Sequence, residues 1–417
     1  MDEYAVIGKL KLQEIPEAKT LQMGFYEGMP FAVQKDLTED DLCIIFLPDG
    51  QLSKEYAEAN DCIARVDPNT GERAGGFFGK NRKVRSMNFM KGKIRSVGYV
   101  ARVDTLAFTG AKLDKLKEGT YISELNGVPI VKKFVNDATR KAMALKKGIR
   151  REKELLGLKM HQDTDQMYKH WDDFAPGDLV TITEKLDGTS VRFGEVYAER
   201  KLNWAQRLIN KIAPLEKYEK KLVVGTRRTL LSDDKRGYYD DPGIYKEVAQ
   251  MCEGKLHQGE SVYGEIVGWL SESSPLFKRG NVTFTYSCQP GERKFFVYAI
   301  KWTLPNGEEI QLPWEHVKVR AKELGLNHVP ELYSTKISSV SSQTFGHEHE
   351  RLVEVIIPEE TRGPSTLDKG HIREGCVVRI DRGRNTIFYK SKSEEYYMLE
   401  DQFKNDDSNV DLEEAQG

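Results

Sequence analysis

Between Leu179 and Glu199 the chain alternates apolar and polar residues twice, in LVTITEK and in VRFGEVYAE, with LDGTS between them. Alternation at period two is the pattern of a strand with one buried face. The first strand looks buried and ends on a lysine, Lys185, followed two residues later by an Asp-Gly turn at Asp187 and Gly188. Read alone, this is a hairpin turn carrying a surface lysine. Chance copies of K-x-D-G are common, so its meaning depends on what else the chain contains.

Downstream of Lys185 the chain is rich in strands with helices between them. LVVGTRRTLL (Leu222 to Leu231), SVYGEIVGW, KFFVYAIKW, and CVVRI with TIFYKSK around DRGRN read as strands, the last two as a hairpin. Ile244, Val248, Cys252 and Leu256 recur at fourfold spacing, one stripe of a helix. PWEHVKVRAKELGLN reads as a helix with Pro near its start and Gly325 near its end. In Glu199 to Lys221, Leu202, Ala205, Ile209 and Ile212 follow helical spacing. This inserted helix would either lie over a nucleic-acid channel or pack as a lid on its domain.

Ahead of Lys185 the texture is different. Val6, Gly8, Leu10 and Leu12 alternate as one strand face, and Leu42 to Leu47 is an apolar run closed by Pro48-Asp49-Gly50. Lys80 to Arg95 holds seven Lys/Arg and no acid, with Phe77, Phe78 and Phe89 in or beside it. Basic residues interleaved with aromatics suit a groove that tracks phosphates while rings stack on bases, or else simply a solvated face. Lys132 to Lys153 carries nine Lys/Arg against two acids and reads as a basic, partly helical connector. From Asp401 the end is acidic, short of apolar residues and expected to fray.

The 417 residues exceed one compact core, so two or three domains are expected. With 39% hydrophobic and 31% charged residues the composition excludes a disordered tail, a collagen and a coiled-coil rod. No stretch reaches the ~20 apolar residues of a membrane helix, and MDEYAVIGKLKLQEI lacks the plan of a signal peptide. Five scattered cysteines without a CxxC pair argue against a disulfide framework or a zinc ribbon, and His347-Glu348-His349 lacks the HExxH spacing. An intracellular, cytoplasmic protein that does not engage membranes is expected.

Six segments then stand in order: KLDGTS, GTRRT, YGEIVGW, FFVYAIKW, EGCVVRI and FYKSK. Together they resemble the collinear motifs of the covalent nucleotidyltransferase superfamily, and within it the ATP-dependent RNA ligases, over roughly residues 175 to 400. The resemblance implies an α+β protein whose adenylyltransferase domain is ATP-grasp-like, with antiparallel sheets and helices. It implies that Lys185 attacks the α-phosphorus of ATP to form lysyl-AMP. Free lysine titrates near 10.4, so only about one in 2,500 is neutral at pH 7, and nearby cations favour the neutral amine. Lys390 and Lys392, two apart on a strand and so on one face, would supply that charge and grip the α-phosphate. Asp187, Glu265 and Glu374 would hold Mg²⁺ or Mn²⁺, Glu265 would also reach the ribose, and Tyr298 would stack on adenine. Arg228, which precedes Thr229 as in some RNA ligases, is favoured over Arg227 for the contact to the 5′-phosphate or AMP, and as neighbours on a strand face opposite ways only one of the two can point into the site. The aromatic strand usually ends in Phe-Asp and here runs Tyr298-Ala299, so that acid is lost.

Twenty-five residues follow Lys392 in this sequence, which leaves no room there for the OB domain of DNA ligases and capping enzymes. KVRSMNFMKGKIRSVGYV, LKEGTYISELNGVPIVKKF and HWDDF instead resemble the N-terminal OB-type module of one group of RNA ligases. The division expected is an OB-type β-barrel over 1–130, a basic linker over 131–160, the adenylyltransferase over 161–400 and an acidic tail over 401–417. The activity implied is sealing of 3′-OH/5′-phosphate breaks, notably nicks in RNA or RNA/DNA duplexes with an RNA 3′-OH end, by a monomer. The alternatives are DNA ligase-like activity, a guanylyltransferase, and a non-catalytic RNA-binding protein on the same scaffold.

Overall fold

The computed structural model describes residues 3–66, 71–146, 154–161, 163–200, 202–214, 218–231, 243–279, 281–339 and 341–410. The chain divides into two compact units, one of 1–137 with 397–409 and one of 138–396 with 410–417.

The first unit is built from short strands. Ala5–Gly8, Cys43–Phe46 and Tyr99–Arg102 form one antiparallel sheet, and Lys11–Gln13, Leu21–Tyr26 and Met29–Gln34 another. The alternation from Val6 to Leu12 thus spans two strands in different sheets. Ala5–Gly8 is buried at every position, because both its faces are covered. Ala5, Ile7, Ile44, Phe46, Leu52, Tyr56 and Leu106 are fully buried and make the core of the unit. Among the described residues these sheets do not join into a closed barrel.

The basic stretch from Lys80 to Arg95 does not all face solvent. Lys83 is buried, its Nζ 2.8 Å from Oδ1 of Asp401, while Lys80, Arg85, Lys91 and Lys93 are exposed. The acidic end therefore does not fray from Asp401. Glu394–Asn405 is helical, and Lys404 Nζ bonds Asp49 at 2.9 Å and Glu400 at 3.1 Å. Sequence composition hid this, since the segment is held by ion pairs more than by apolar side chains. Residues 411–417 of the expected tail, like 147–153 of the expected linker, lie outside the described residues.

The second unit holds two sheets. In the five-stranded sheet the order is Asp165–Gln166, Asn385–Lys392, Gly375–Arg382, Leu179–Lys185, Glu331–Lys336. In the eight-stranded sheet the main path is Leu230–Leu231, Tyr218–Thr226, Thr189–Glu199, Glu260–Ser271, Arg293–Thr303, Glu309–Gln311. Leu179–Lys185 and Thr189–Glu199 do not pair as a hairpin. The chain leaves one sheet at Lys185 and enters the other at Thr189, so Leu186–Gly188 is a bridge between sheets. Gly188 is required there, because a Cβ would stand 2.3 Å from the carbonyl oxygen of Ile266.

Other expectations hold in outline. Gly375–Arg382 and Asn385–Lys392 pair as the expected hairpin, turning at Gly383 with φ +67°. Trp314–Leu324 is a helix that ends at Gly325 in the left-handed region. The Leu222–Leu231 segment is a hairpin rather than one strand, bending at Arg227 and Arg228 before Leu230–Leu231 folds back. The insertion forms a helix, Trp204–Ile212, capped by Asn203 and Gln206, with no residue buried. It is not a lid packed on its domain, since Trp204 is 78% and Ile212 is 90% exposed.

Candidate functional site

Strand register brings the distant charged residues together. Lys185 lies opposite Gly375 on one neighbouring strand, and Gly375 lies opposite Lys392 on the next. Glu374, just before Gly375, therefore meets both lysines. Its Oε1 is 2.7 Å from Nζ of Lys185 and 3.6 Å from Nζ of Lys392. Gly375 permits the approach, because a Cβ would stand 2.0 Å from the carbonyl oxygen of Ser391. Glu374 is buried, which pushes its carboxyl above the usual range against the pull of the two ammoniums. Its Oε2 is buried with no hydrogen-bond partner among the described residues.

A cavity of about 400 Å³ opens between the sheets, lined in part by Lys185, Arg227, Glu265, Tyr298, Lys390 and Lys392. Glu265 faces Ser190 across the ladder and accepts a hydrogen bond from its hydroxyl at 2.9 Å. Tyr263 and Glu265 share a strand face, with Gly264 between them packed against Phe295. Burial pushes the Tyr298 hydroxyl far above its ordinary value, with the Glu265 carboxylate adding to the rise.

The two arginines differ in where they lie. Arg227 lines the cavity and Arg228 does not. Alternation does not apply, because both lie in the bend after Tyr218–Thr226. Both guanidiniums reach Asp163, Arg227 at 2.8 Å and Arg228 at 3.8 Å. Burial would raise the Asp163 carboxyl, yet these guanidiniums and Lys390 outweigh it and hold it below the usual range.

The three carboxylates expected to share a metal are not gathered. Among the described residues no group of three or more His, Cys, Asp or Glu could hold an ion. Of the three only Glu265 lines the cavity, and Oδ2 of Asp187 is engaged by the Tyr396 hydroxyl at 2.7 Å and by Arg279 at 3.3 Å. The backbone N–H of Asp187 donates to the Tyr286 hydroxyl at 2.5 Å. Glu265 lines the cavity and Glu374 meets its lysines Lys185 and Lys392, and the unpartnered Oε2 of Glu374 suits a hydrated cation. Hard ions such as Mg²⁺ are commonly held by one or two carboxylates with waters and substrate phosphates.

Sequence reading missed Asp163, Arg279 and Tyr396 in this neighbourhood. It also missed Glu184, buried beside Lys185, whose Oε2 accepts the backbone N–H of Thr366 at 2.9 Å. HQDTDQ offered two acids shortly before the nucleophile strand, the one available hint of Asp163. Nothing local marked Arg279 among neighbouring cations.

The fold is found in known proteins. Among solved structures, a mutant of the Naegleria gruberi RNA ligase with ATP and Mn superposes with a TM-score of 0.58 at 16% identity, covering 94% of this chain and 98% of that one. The Naegleria gruberi RNA ligase with PPi gives 0.56 at 17% identity, covering 95% and 98%. At such identity the likeness speaks for the fold. No curated protein sequence matches. The sequence model of the RNA ligase family matches residues 178–392, just over half of the chain and the span that carries Lys185, Glu265, Glu374 and Lys392. That match places this chain in the RNA ligase family.

Proposed function

We propose that the protein is an ATP-dependent RNA ligase that works through a lysyl-AMP on Lys185. The observation that carries the reading is the placement of Lys185 Nζ in one cavity with Lys390, Lys392, Arg227, Glu265 and Tyr298, against the buried Glu374. The similarly folded Naegleria gruberi RNA ligase has been solved with ATP and Mn, and with pyrophosphate.

In the first step the neutral amine of Lys185 forms a P–N bond to the α-phosphorus, and pyrophosphate leaves with the electron pair of the P–O bond. Lys390 and Lys392 offset the negative charge on the phosphate oxygens. In the second step a 5′-phosphate oxygen of RNA displaces lysine and takes the AMP. In the third, an RNA 3′-hydroxyl loses its proton, attacks the 5′-phosphorus and expels AMP. Each step is an in-line displacement that depends on positioning and charge neutralisation. Glu265 and Glu374 are the residues that would hold a hydrated Mg²⁺ or Mn²⁺, whose chemistry is to neutralise the phosphates. Tyr298 would face the adenine and Glu265 the ribose, while Arg227 would meet AMP or the 5′-phosphate.

The substrate in this reading is a nick in an RNA or RNA/DNA duplex with RNA on the 3′-OH side. The first unit is assigned to holding the nucleic acid, as an OB-type module would. Phe77 is 48% exposed there and stacks on Phe78 at 4.5 Å, beside the exposed Lys80 and Arg85.

Incubation with α-labelled ATP or GTP tests the chemistry. Covalent label is expected from ATP alone and not in Lys185→Ala. Label from GTP would make the protein a guanylyltransferase, and label retained in the alanine variant would remove Lys185 from the role. Sealing of all-DNA nicks as readily as RNA-ended ones would refute the substrate. Binding of nicks undiminished by Phe77→Ala with Lys80→Glu and Arg85→Glu would refute the role of the first unit.

A further inference from the structure

We propose that Arg379 is a positioning residue for the nucleotide, fixing the backbone bulge that turns the Tyr298 ring into the cavity. The proposal rests on the reading of Tyr298 as the wall against the nucleobase.

Pairing between Glu260–Ser271 and Arg293–Thr303 is regular except at one point. Tyr263 pairs with Ala299 and Gly264 with Val297, so Tyr298 is an extra residue with no opposite number. On a regular strand Tyr298 and Ala299 would point to opposite faces. Both line the cavity, together with Lys301. The bulge is what places the ring on the same side as its neighbour, as bulges do when they re-aim a side chain.

A bulge also takes backbone groups out of the ladder, and a buried carbonyl without a partner is costly. Arg379 supplies the partner. Its Nη1 donates to the carbonyl of Tyr298 at 3.2 Å, and its Nη2 donates to the carbonyl of Leu312 at 2.5 Å. Nε donates to the carboxylate of Asp381 at 3.1 and 3.2 Å. The guanidinium lies over the rings of Phe388 at 5.0 Å and Trp314 at 5.5 Å, and the side chain is 1% exposed. Asp381 in turn accepts the backbone N–H of Trp314 at 3.0 Å and the hydroxyl of Thr386 at 2.6 Å.

Arg379 belongs to the five-stranded sheet and Tyr298 to the eight-stranded one. The same guanidinium therefore ties the two walls of the cavity at the point where one wall presents its ring. A planar fork with donors in fixed directions can serve a carboxylate and two carbonyls at once, and an ammonium on a flexible stem cannot.

The test is self-adenylylation kinetics on the full chain with Arg379→Lys, Tyr298→Leu and the double variant. Because the ring acts on binding, Arg379→Lys is expected to raise KM for ATP about tenfold and to change kcat little, as a small misplacement of a positioned group would. The double variant should be no worse than Tyr298→Leu alone, since both changes act through one ring. The neutral pair Arg379→Gln with Asp381→Asn, which leaves no buried charge unpaired, should show the same KM rise if the lysine variant folds poorly. Additive losses, or a fall in kcat at constant KM, would overturn the role of Arg379. An unchanged KM in Tyr298→Leu would instead remove the reading of the cavity on which the proposal stands.

Discussion

Oε1 of Glu374 stands 2.7 Å from Nζ of Lys185 and 3.6 Å from Nζ of Lys392, so two ammonium groups share one buried carboxylate. The sharing comes from register alone, Lys185 opposite Gly375 and Gly375 opposite Lys392. Without nucleotide, Glu374 is the counter-charge to both lysines. In the proposed reaction, phosphate oxygens would take over that task for Lys392.

In the proposed reaction Lys392 is needed for the chemical step more than for folding. Lys392→Met should slow transfer of label from α-labelled ATP to the protein by about 10²–10³-fold, the scale for loss of one charge-stabilising donor in a transition state. Thermal unfolding should be little affected, because Glu374 keeps Lys185 as its partner. A methionine variant that labels at the parental rate would exclude Lys392 from the phosphate site.

Asp187 gives a second prediction. Its carboxylate is held by Arg279 and Tyr396, and its backbone N–H by Tyr286, all away from the cavity. Its geometric role is to pin the bridge that presents Lys185. Asp187→Asn should therefore lower the rate of adenylylation and leave the Mn²⁺ concentration for half-maximal rate unchanged, whereas Glu265→Gln should raise that concentration. A several-fold rise in the Asp187 variant would return this carboxylate to the metal.

These cases mark what the sequence could and could not disclose. Lys185, Glu265, Glu374 and Lys392 were singled out by the resemblance of their motifs, and strand register brings Lys185, Glu374 and Lys392 together. Gly375 before CVVRI and Gly188 after Lys185 are written in the sequence, and both mark close backbone approaches in the fold. The sheet change between Lys185 and Thr189 was not legible, since two strands joined by a short turn look alike whether or not they pair. Arg279 and Asp163 were not legible either, being ordinary charged residues whose partners lie 92 and 64 positions away. The bulge at Tyr298 leaves no trace in FFVYAIKW, because one unpaired residue does not disturb an apolar run.

Asp163 predicts a pH effect. Its folded carboxyl titrates below the usual value, which lies near 3.9, as Arg227 and Arg228 favour the ionised form. A depressed carboxyl contributes stability that is complete above the unfolded value and is lost as pH falls through the folded one. Parent and Asp163→Asn should thus differ in urea midpoint at pH 7 and converge in acid below that range. The side chain is 71% exposed, so the difference is small and should shrink in high salt as well. A gap that persisted in acid, or widened, would mean that Asp163 acts through something other than its charge.

Lys83 offers the sharpest contrast with its surroundings in sequence. It lies within an acid-free basic run, yet its side chain is 0% exposed. Nζ lies 2.8 Å from Oδ1 of Asp401, donates to the Asp401 carbonyl at 3.2 Å, and sits 5.0 Å from the centre of the Phe134 ring. Burial pushes the lysine down and the aspartate up, so each opposes its own charge and relies on the other. Lys83→Met strands a buried carboxylate and should cost about 3–5 kcal/mol, whereas adding Asp401→Leu should recover most of that loss, because a buried pair replaced by apolar groups is often neutral. Denaturant unfolding of the parent and both variants measures the cycle. Equal destabilisation of the single and double variants would show that Lys83 acts through its packing on Phe134, not through its charge.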